Sequence, residues 1–582
     1  DSYMLCFTHQ RMYVIKNGAV IANINSSGNN YLAISAITSS MVNDMCWTQS
    51  ADTLIVVHPD LQPVKIVRGA NDATWTASTI TFDTIPKYAF NIAFTNPSGT
   101  LTPSVVSGNI TLTASASVFT AGSVDQYINA TPQGRARIVR YVSGTVVEAI
   151  TEYPFFNTSA IANGSWELES GYEDVWSSTK GFPRTVSFHE GRLFFGGSKS
   201  RPSTIWGSKI GLFFDFVPSE SLDDDAVEAT LDTNELNVIT DIISSRDFQV
   251  FTTGGEFFVP QQGTDPITPL TFTFKNVSRN GTKPGTRVQS VETGSVYIQR
   301  QGKSLNEFVF SDTQLTYITQ RISLLSGHLL KGPKRIAMRR ASSTEEGDLL
   351  LITNADDGSL AAFSIMRSQQ ITAPSEFTTD GEFLDVGVDV TEIYCVTKRV
   401  FDGTTRYFVE LFGYEYFTDC AFVGASAGGV GSGLPHIGKS LNVICDGVPQ
   451  SNETVSAGGA VTFDRESTTS YEVGLPITVY VKTMPVEIKL QTGSRVSYKK
   501  RIVEISAVLE DTQNMVINNQ PVAFRLLDNP LLDLPVPTFT GIKRVNGVLG
   551  YAREQAIEVS QTLPLKMNLL GLDYRVAVNS GT

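Results

Sequence analysis

Short apolar or alternating runs, broken by turn dipeptides, recur along the whole chain, and helix-period patterns are scarce. Asn-Gly pairs fall at Asn17-Gly18, Asn163-Gly164, Asn280-Gly281 and Asn546-Gly547, and Asp-Gly pairs at Asp357-Gly358, Asp380-Gly381, Asp402-Gly403 and Asp446-Gly447. Such pairs tolerate positive φ at both turn centres, as a tight hairpin of mirror-image turn type requires. The pattern predicts a mainly β protein. The clearest hairpin runs from Phe248 to Thr253, turns at Gly254-Gly255 and returns from Glu256 to Val259.

Hairpin-like units centre near Leu54, Leu193, Phe251, Val296, Leu350 and Phe408. After the first interval they lie about 45–60 residues apart, a spacing suited to four-stranded propeller blades with variable loops. A β-propeller of about six blades is therefore expected, although no WD or kelch signature occurs. The gap from Leu54 to Leu193 is too long for one blade. Its Thr-, Ser- and Gly-rich middle alternates, as in the run from Asn109 to Ala114, and predicts an inserted all-β domain. The expected order is a first propeller part over 1–70, the insertion over 71–172 and the rest of the propeller over 173–423. A second all-β region, a sandwich or small barrel, follows over 424–582. The stretch GASAGGVGSG, from Gly424 to Gly433, reads by composition as a flexible linker between the last two.

The 582 residues are 41% hydrophobic and 18% charged, which excludes disorder as the main state. No stretch approaches the ~20 uninterrupted apolar residues of a membrane-spanning helix. With 45 basic against 58 acidic residues the net charge is −13, poorly suited to gripping nucleic acid through its phosphates. Cys6, Cys46, Cys395, Cys420 and Cys445 are odd in number and widely spaced, which argues against a disulfide scaffold or zinc ribbon and fits a reducing site of synthesis.

Candidate chemistry is sparse. Gly433 to Ser440 (GLPHIGKS) matches a phosphate-binding loop, but a working loop follows a strand and opens a helix. Here the Gly/Ser stretch precedes it, Pro435 removes an amide, and Leu441 to Cys445 reads as a strand. His9, His58, His189, His328 and His436 show no metal-ligand spacing. The segment from His189 to Arg192 reads as a hairpin turn rather than an acid/base cluster, with Val186 and Phe188 inward. The densest acidic run is Asp223-Asp224-Asp225, with Glu220 and Glu228 nearby; it lacks the glycine of a calcium loop. Basic clusters at Lys334-Arg335 with Arg339-Arg340, and at Lys499-Lys500-Arg501, read as edge-strand charges that block stray pairing. Trp47, Trp166, Trp176 and Trp206 are the candidates for an aromatic-lined groove, against core packing.

One set of segments resembles a known family. GFPRTVSFHEGRLFFGGSKSRPSTIWGSKIGLFFDF from Gly181 resembles the central signature of tail nozzle proteins of short-tailed bacteriophages, the tail tubular protein B type. DDDAVEATL from Asp223, VFTTGGEFFVP from Val250, SVYIQRQGKSLNEFVFS from Ser295 and ISLLSGHLLKG from Ile322 follow in the family order. RVSYKKRIVEISAVLED from Arg495 and QAIEVSQTLPLKMNLLGLDYRV from Gln555 complete it. The resemblance implies a structural, non-enzymatic virion protein without cofactors, made in the bacterial host cytoplasm and built into the tail. It implies a homohexameric ring below an adaptor ring, neighbouring fibres or spikes, and a propeller with added platform domains. Double-stranded DNA would pass through the lumen without specific binding, and no stable membrane insertion is implied.

A cyclic ring multiplies every lumen-facing side chain by its symmetry order. One inward Lys per subunit would contact ~6 phosphates in a hexamer and hold the duplex in place. The expectation is a lumen poor in Lys and Arg, with Asp223, Asp224 and Asp225 as the candidate channel-lining residues. The competing reading is a phage tail protein that binds or degrades host polysaccharide.

Overall fold

The computed structural model describes residues 2–218, 222–261, 266–291, 294–343, 346–366, 369–466, 468–487, 489–490, 493–494, 498–525, 534–547, 550–561 and 563–579. The protein is mainly β, as the alternation predicts, and no α-helix occurs among the described residues. The chain divides into two compact units, residues 1–356 with 361–375, and residues 357–360 with 376–582.

The first unit is dominated by consecutive four-stranded antiparallel sheets. The first sheet holds Met4–Thr8, Arg11–Lys16, Ala19–Val20 and Leu32–Ala33. Five simple meanders follow. The second sheet begins with Cys46–Ser50 and Thr53–His58, the third with Thr185–His189 and Arg192–Gly196, and the fourth with Ile239–Ser244 and Phe248–Thr252. The fifth begins with Gln289–Val291 and Gly294–Ile298, the sixth with Pro333–Arg339 and Asp348–Asn354. Leu54, Leu193, Phe251, Val296 and Leu350 each fall in the second strand of a meander. Arg192–Gly196, Phe248–Thr252 and Gly294–Ile298 are buried at every position, which is why they read as continuous runs rather than clean alternation.

Neighbouring meanders bury their faces against each other. Ile55 and Val57 pack with Leu193, Phe195 and Trp206; Phe194 and Ile205 with Val250 and Phe257; Phe251 with Tyr297 and Phe308. Each such side chain contributes about 1.5–3 kcal/mol of burial. The turns follow the predicted chemistry where both centres take positive φ: Asn17-Gly18 at 51° and 74°, and Glu190-Gly191 at 46° and 74°. The latter closes the hairpin in which His189 pairs with Arg192, as read from the sequence.

The opening strands of the second to sixth sheets are joined by polar contacts that run in a cycle. The Val186 N–H donates to Cys46 Sγ at 3.4 Å, and Thr185 Oγ1 donates to Asp241 Oδ1 at 3.0 Å. The Val288 N–H donates to Asp241 Oδ2 at 3.0 Å, and Gln289 Nε2 to the Ile336 carbonyl at 3.1 Å. Arg335 Nη2 then donates at 2.7 Å to the carbonyl of Val42, four residues before Cys46. The first sheet stands outside this cycle and packs on the second, with Met12, Val14 and Ile24 against Val56, Ile66 and Trp75.

A seven-stranded antiparallel sheet lies between the second and third sheets in sequence. In spatial order it holds Leu101–Pro103, Asn109–Ala114, Val146–Tyr153, Arg135–Ser143, Tyr127–Asn129, Glu167–Asp174 and Lys87–Thr95. Its core gathers Leu112, Ile128, Ile138, Val147 and Trp166.

The second unit is also all strand. Phe408 lies in Thr404–Phe412, at the edge of a three-stranded sheet with Glu382–Asp389 and Glu392–Phe401, so it does not continue the four-stranded series. Gly424 to Gly433 is not a linker: it holds the end of strand Asp419–Ser426 and the strand Val430–Gly431. Its glycines make room. A Cβ on Gly424 would come within 2.8 Å of the Tyr471 ring, and one on Gly431 within 2.8 Å of Phe463. Further on, Lys499–Thr512 is flanked by Phe539–Asn546 and Leu569–Asn579. Lys499-Lys500-Arg501 therefore opens a central strand, and the edge-strand reading fails there.

Candidate functional site

The acidic run lies between the third and fourth strands of the third sheet, Thr204–Gly207 and Val227–Thr230. It is held from beneath by Arg192, which is 1% exposed. Arg192 Nη1 donates to the Ser208 carbonyl at 2.8 Å and to the Asp225 carbonyl; Nη2 donates to the Asp223 carbonyl at 2.7 Å. Because the guanidinium binds backbone oxygens, it leaves the carboxylates of Asp223 and Asp224 outward and exposed. Neither makes an ion pair among the described residues. Asp225 differs: it is buried, accepts from the Ala226 N–H at 2.9 Å and has Lys209 Nζ at 3.8 Å. Its carboxylate faces the interior, so as a lining residue it is corrected: Asp223 and Asp224 alone present charge outward. Glu228 is exposed, and Glu220 lies outside the described residues. The sequence carried no signal for the role of Arg192 beyond its place after the turn.

A second feature was not foreseen. A cavity of about 390 Å³ opens where four opening strands converge, lined by residues 47–49, 186–188, 242–244 and 287–289. At its edge stands Trp47, 54% exposed. Arg287 lines it too: Nη2 donates to Asp241 Oδ1 at 2.9 Å and to Cys46 Sγ. Asp241 also accepts from the Ile242 N–H at 3.0 Å, so a buried carboxylate is fully supplied with donors. Ser244 Oγ lies 2.9 Å from His189 Nδ1, but no carboxylate bonds to His189 Nε2 among the described residues, and burial lowers the imidazole pKa. The pair lacks the orienting acid of a nucleophilic triad.

The remaining candidates resolve into structure. In the phosphate-loop match, Leu434, Gly438 and Lys439 donate their amides to Gly459, Val455 and His436 carbonyls, and Lys439 Nζ pairs with Asp380 at 2.6 Å. A strand, Ser440–Cys445, follows in place of a helix, so no cradle of free N–H groups forms. Trp166, Trp176 and Trp206 are core residues, and Trp47 alone of the four is exposed. Arg335 and Arg339 are buried; Lys500 is buried and donates to the Val486 carbonyl at 2.7 Å. Burial pushes the Cys395 thiol up to about 12 and that of Cys445 to about 11, so neither is a ready nucleophile. Among the described residues no three His, Cys, Asp or Glu side chains gather as a metal site, and no helix is long and apolar enough to cross a membrane.

No family model and no curated protein matches the chain. Among solved structures it is similar to the β-propeller domain of Cps50 (Swd1) from Myceliophteria thermophila, at 7% identity and a TM-score of 0.29, covering 63% of this chain and 97% of that one. Hsv2 of Kluyveromyces lactis follows at 7% identity and 0.26, covering 65% and 94%. An exo-β-1,3-galactanase from Phanerochaete chrysosporium shares 8% identity at 0.21, covering 67% and 94%. Likenesses this remote carry no argument about fold or function.

Proposed function

We propose that the chain is a structural tail nozzle subunit of a short-tailed phage, six copies of which form a ring that continues the DNA channel below the adaptor. In this reading the meanders of the first unit are propeller blades, the seven-stranded sheet is the inserted domain, and the second unit supplies platform sheets. Fibres or spikes dock outside, and the genome leaves through a lumen formed between subunits rather than through the centre of the meander cycle.

The observation that supports this reading best is the acidic run. A buried guanidinium fixes its backbone, and two carboxylates project from it with no cation paired to them among the described residues. Fixed like charge repels a polyanion and lets it slide. Two of the segments that resemble the nozzle family, those from Gly181 and from Asp223, contain the four strands of this sheet and Arg192. The test is particle imaging and mass measurement of the purified chain, alone and with a portal and adaptor assembly. Closed six-membered rings with Asp223 and Asp224 on the inner wall are expected. A permanent monomer, or an inner wall rich in Lys and Arg, defeats the proposal.

A further inference from the structure

The three-stranded sheet around Lys499–Thr512 ends on both sides in long strands that no other described strand covers. We infer that these two edges pair between copies, Leu569–Asn579 of one chain lying parallel to Phe539–Asn546 of the next. The inference rests on the ring reading and deepens it, because it names the surface through which neighbouring copies join.

The edges themselves come first. Among the described residues neither flanking strand makes a backbone bond on its outer side. No described position of Leu569–Asn579 is buried, Leu570 is 61% exposed, and Ile542 on the far edge is 60% exposed. A long edge left open in this way is a template for a further strand. The two edges differ in sequence, so they join head to tail. That is the contact that closes into a ring, whereas one edge pairing with itself gives a two-fold dimer. Both flanking strands run antiparallel to the central one and hence parallel to each other. A side-by-side repeat of the sheet therefore brings them together as a parallel pair.

Charge then selects the partner and the register. Three rows cross the solvent face of the sheet: Ile542, Val508 and Gly571; Arg544, Ser506 and Asp573; Asn546, Glu504 and Arg575. Repeating the sheet without slip extends the middle row, so Asp573 of one copy meets Arg544 of the next. Asp573 is exposed and makes no ion pair among the described residues. Arg544 reaches Glu504 at 3.7 Å and shares it with Arg575 at 3.8 Å, and both arginine side chains are about three-quarters exposed. Two guanidiniums on one carboxylate leave a positive charge unbalanced, and the unpaired carboxylate stands at the opposite edge in the same row. A two-residue slip sets Gly571 or Arg575 against Arg544, which loses the match or opposes like charges. A one-residue slip moves Asp573 to the other face.

The experiment is mass photometry of the full-length chain, alone and on the portal and adaptor assembly. Wild type forms rings. Chains with Asp573→Arg and chains with Arg544→Asp, each at unchanged Tm, need at least about tenfold more protein to assemble. An equimolar mixture of the two recovers wild-type assembly, because alternating copies again set unlike charges at every junction. Should either charge variant fail to fold, a disulfide decides. A Cβ on Gly571 meets nothing within 4 Å, so Gly571→Cys with Ile542→Cys in one chain is tolerated. Within that chain the two positions are two strand spacings apart, roughly 9.5 Å, too far to bridge. Mild oxidation then yields a ladder of covalent oligomers that wild type lacks. Wild-type rings with charge variants that assemble equally well, a mixture that fails to recover, or rings without a ladder each overturn the edge pairing and leave the ring reading standing. A wild type that stays monomeric throughout overturns both.

Discussion

Arg192 Nη2 donates to the backbone carbonyl of Asp223 at 2.7 Å, so a buried cation supports an acidic segment through its backbone rather than through ion pairs with the carboxylates of Asp223 and Asp224. Deleting the guanidinium leaves the carbonyls of Asp223, Asp225 and Ser208 without their donor in a closed site. Arg192→Met is expected to cost on the order of 3 kcal/mol in urea unfolding. It is also expected to speed amide exchange over residues 222–226. Arg192→Lys should recover less than half, since a single ammonium cannot span three carbonyls as a planar fork does. Unchanged exchange in Arg192→Met would refute the bracing role.

The exposed carboxylates themselves are structurally idle. Asp223→Lys with Asp224→Lys should shift stability by less than about 0.5 kcal/mol. In an assembled ring the same change places new cations on the wall, and DNA retention should appear. One such lysine per subunit already gives ~6 phosphate contacts, so affinity should fall at least roughly a thousandfold between about 50 and 200 mM salt. Filter retention of duplex by wild-type and variant rings reads this directly; equal retention at every salt concentration counts against a lumen position.

Hairpin chemistry made much of the first unit legible. Five of six proposed centres fall on second strands because these strands are largely buried on both faces, and those of the third to sixth sheets also border a turn that contains glycine. The first sheet escaped notice because its third and fourth strands, Ala19–Val20 and Leu32–Ala33, are two residues each. The stretch from Gly424 to Gly433 misled because glycines selected for close packing under Tyr471 and Phe463 have the same composition as a flexible linker. Lys500 misled because a charge in a central strand is tolerable only with partners, Val486 and Glu487, that no local pattern specifies. The contacts that join the opening strands, such as Asp241 with Thr185 and Val288, span tens of residues and leave no periodic trace. The cavity inherits that invisibility.

In the second unit Arg399 is fully buried between two carboxylates. It donates through Nε and Nη2 to Glu410 at 2.9 and 2.7 Å, and through Nη1 and Nη2 to Asp419 at 3.0 and 2.8 Å. Burial opposes the charge, but Glu410 and Asp419 outweigh it and raise the guanidinium pKa. Arg399→Met leaves two carboxylates facing one another in a desolvated site. The expected loss is about 3–5 kcal/mol at neutral pH, partly restored when Glu410→Gln is added. A double-mutant cycle with no coupling between the two positions would show that the cluster is not a unit.

Glu256 should give the first unit a measurable pH dependence. It opens the return strand of the fourth sheet's hairpin, is fully buried, and accepts from the Ser278 hydroxyl through Oε2. Burial raises its pKa from 4.5 to about 7, with Ser278 and Tyr297 only partly opposing the shift. Between these values the folded state holds a proton that the unfolded state has released, so stability falls as pH rises through the interval. At full extent the effect is on the order of 3 kcal/mol. Glu256→Gln keeps the neutral hydrogen-bonding form at every pH and removes this term. The stability difference between variant and wild type should therefore grow from pH 4.5 to 7 and then level off, as read by urea midpoints at half-unit steps. A difference independent of pH would mean that Glu256 titrates alike in the folded and unfolded protein, its hydrogen bonds balancing its burial.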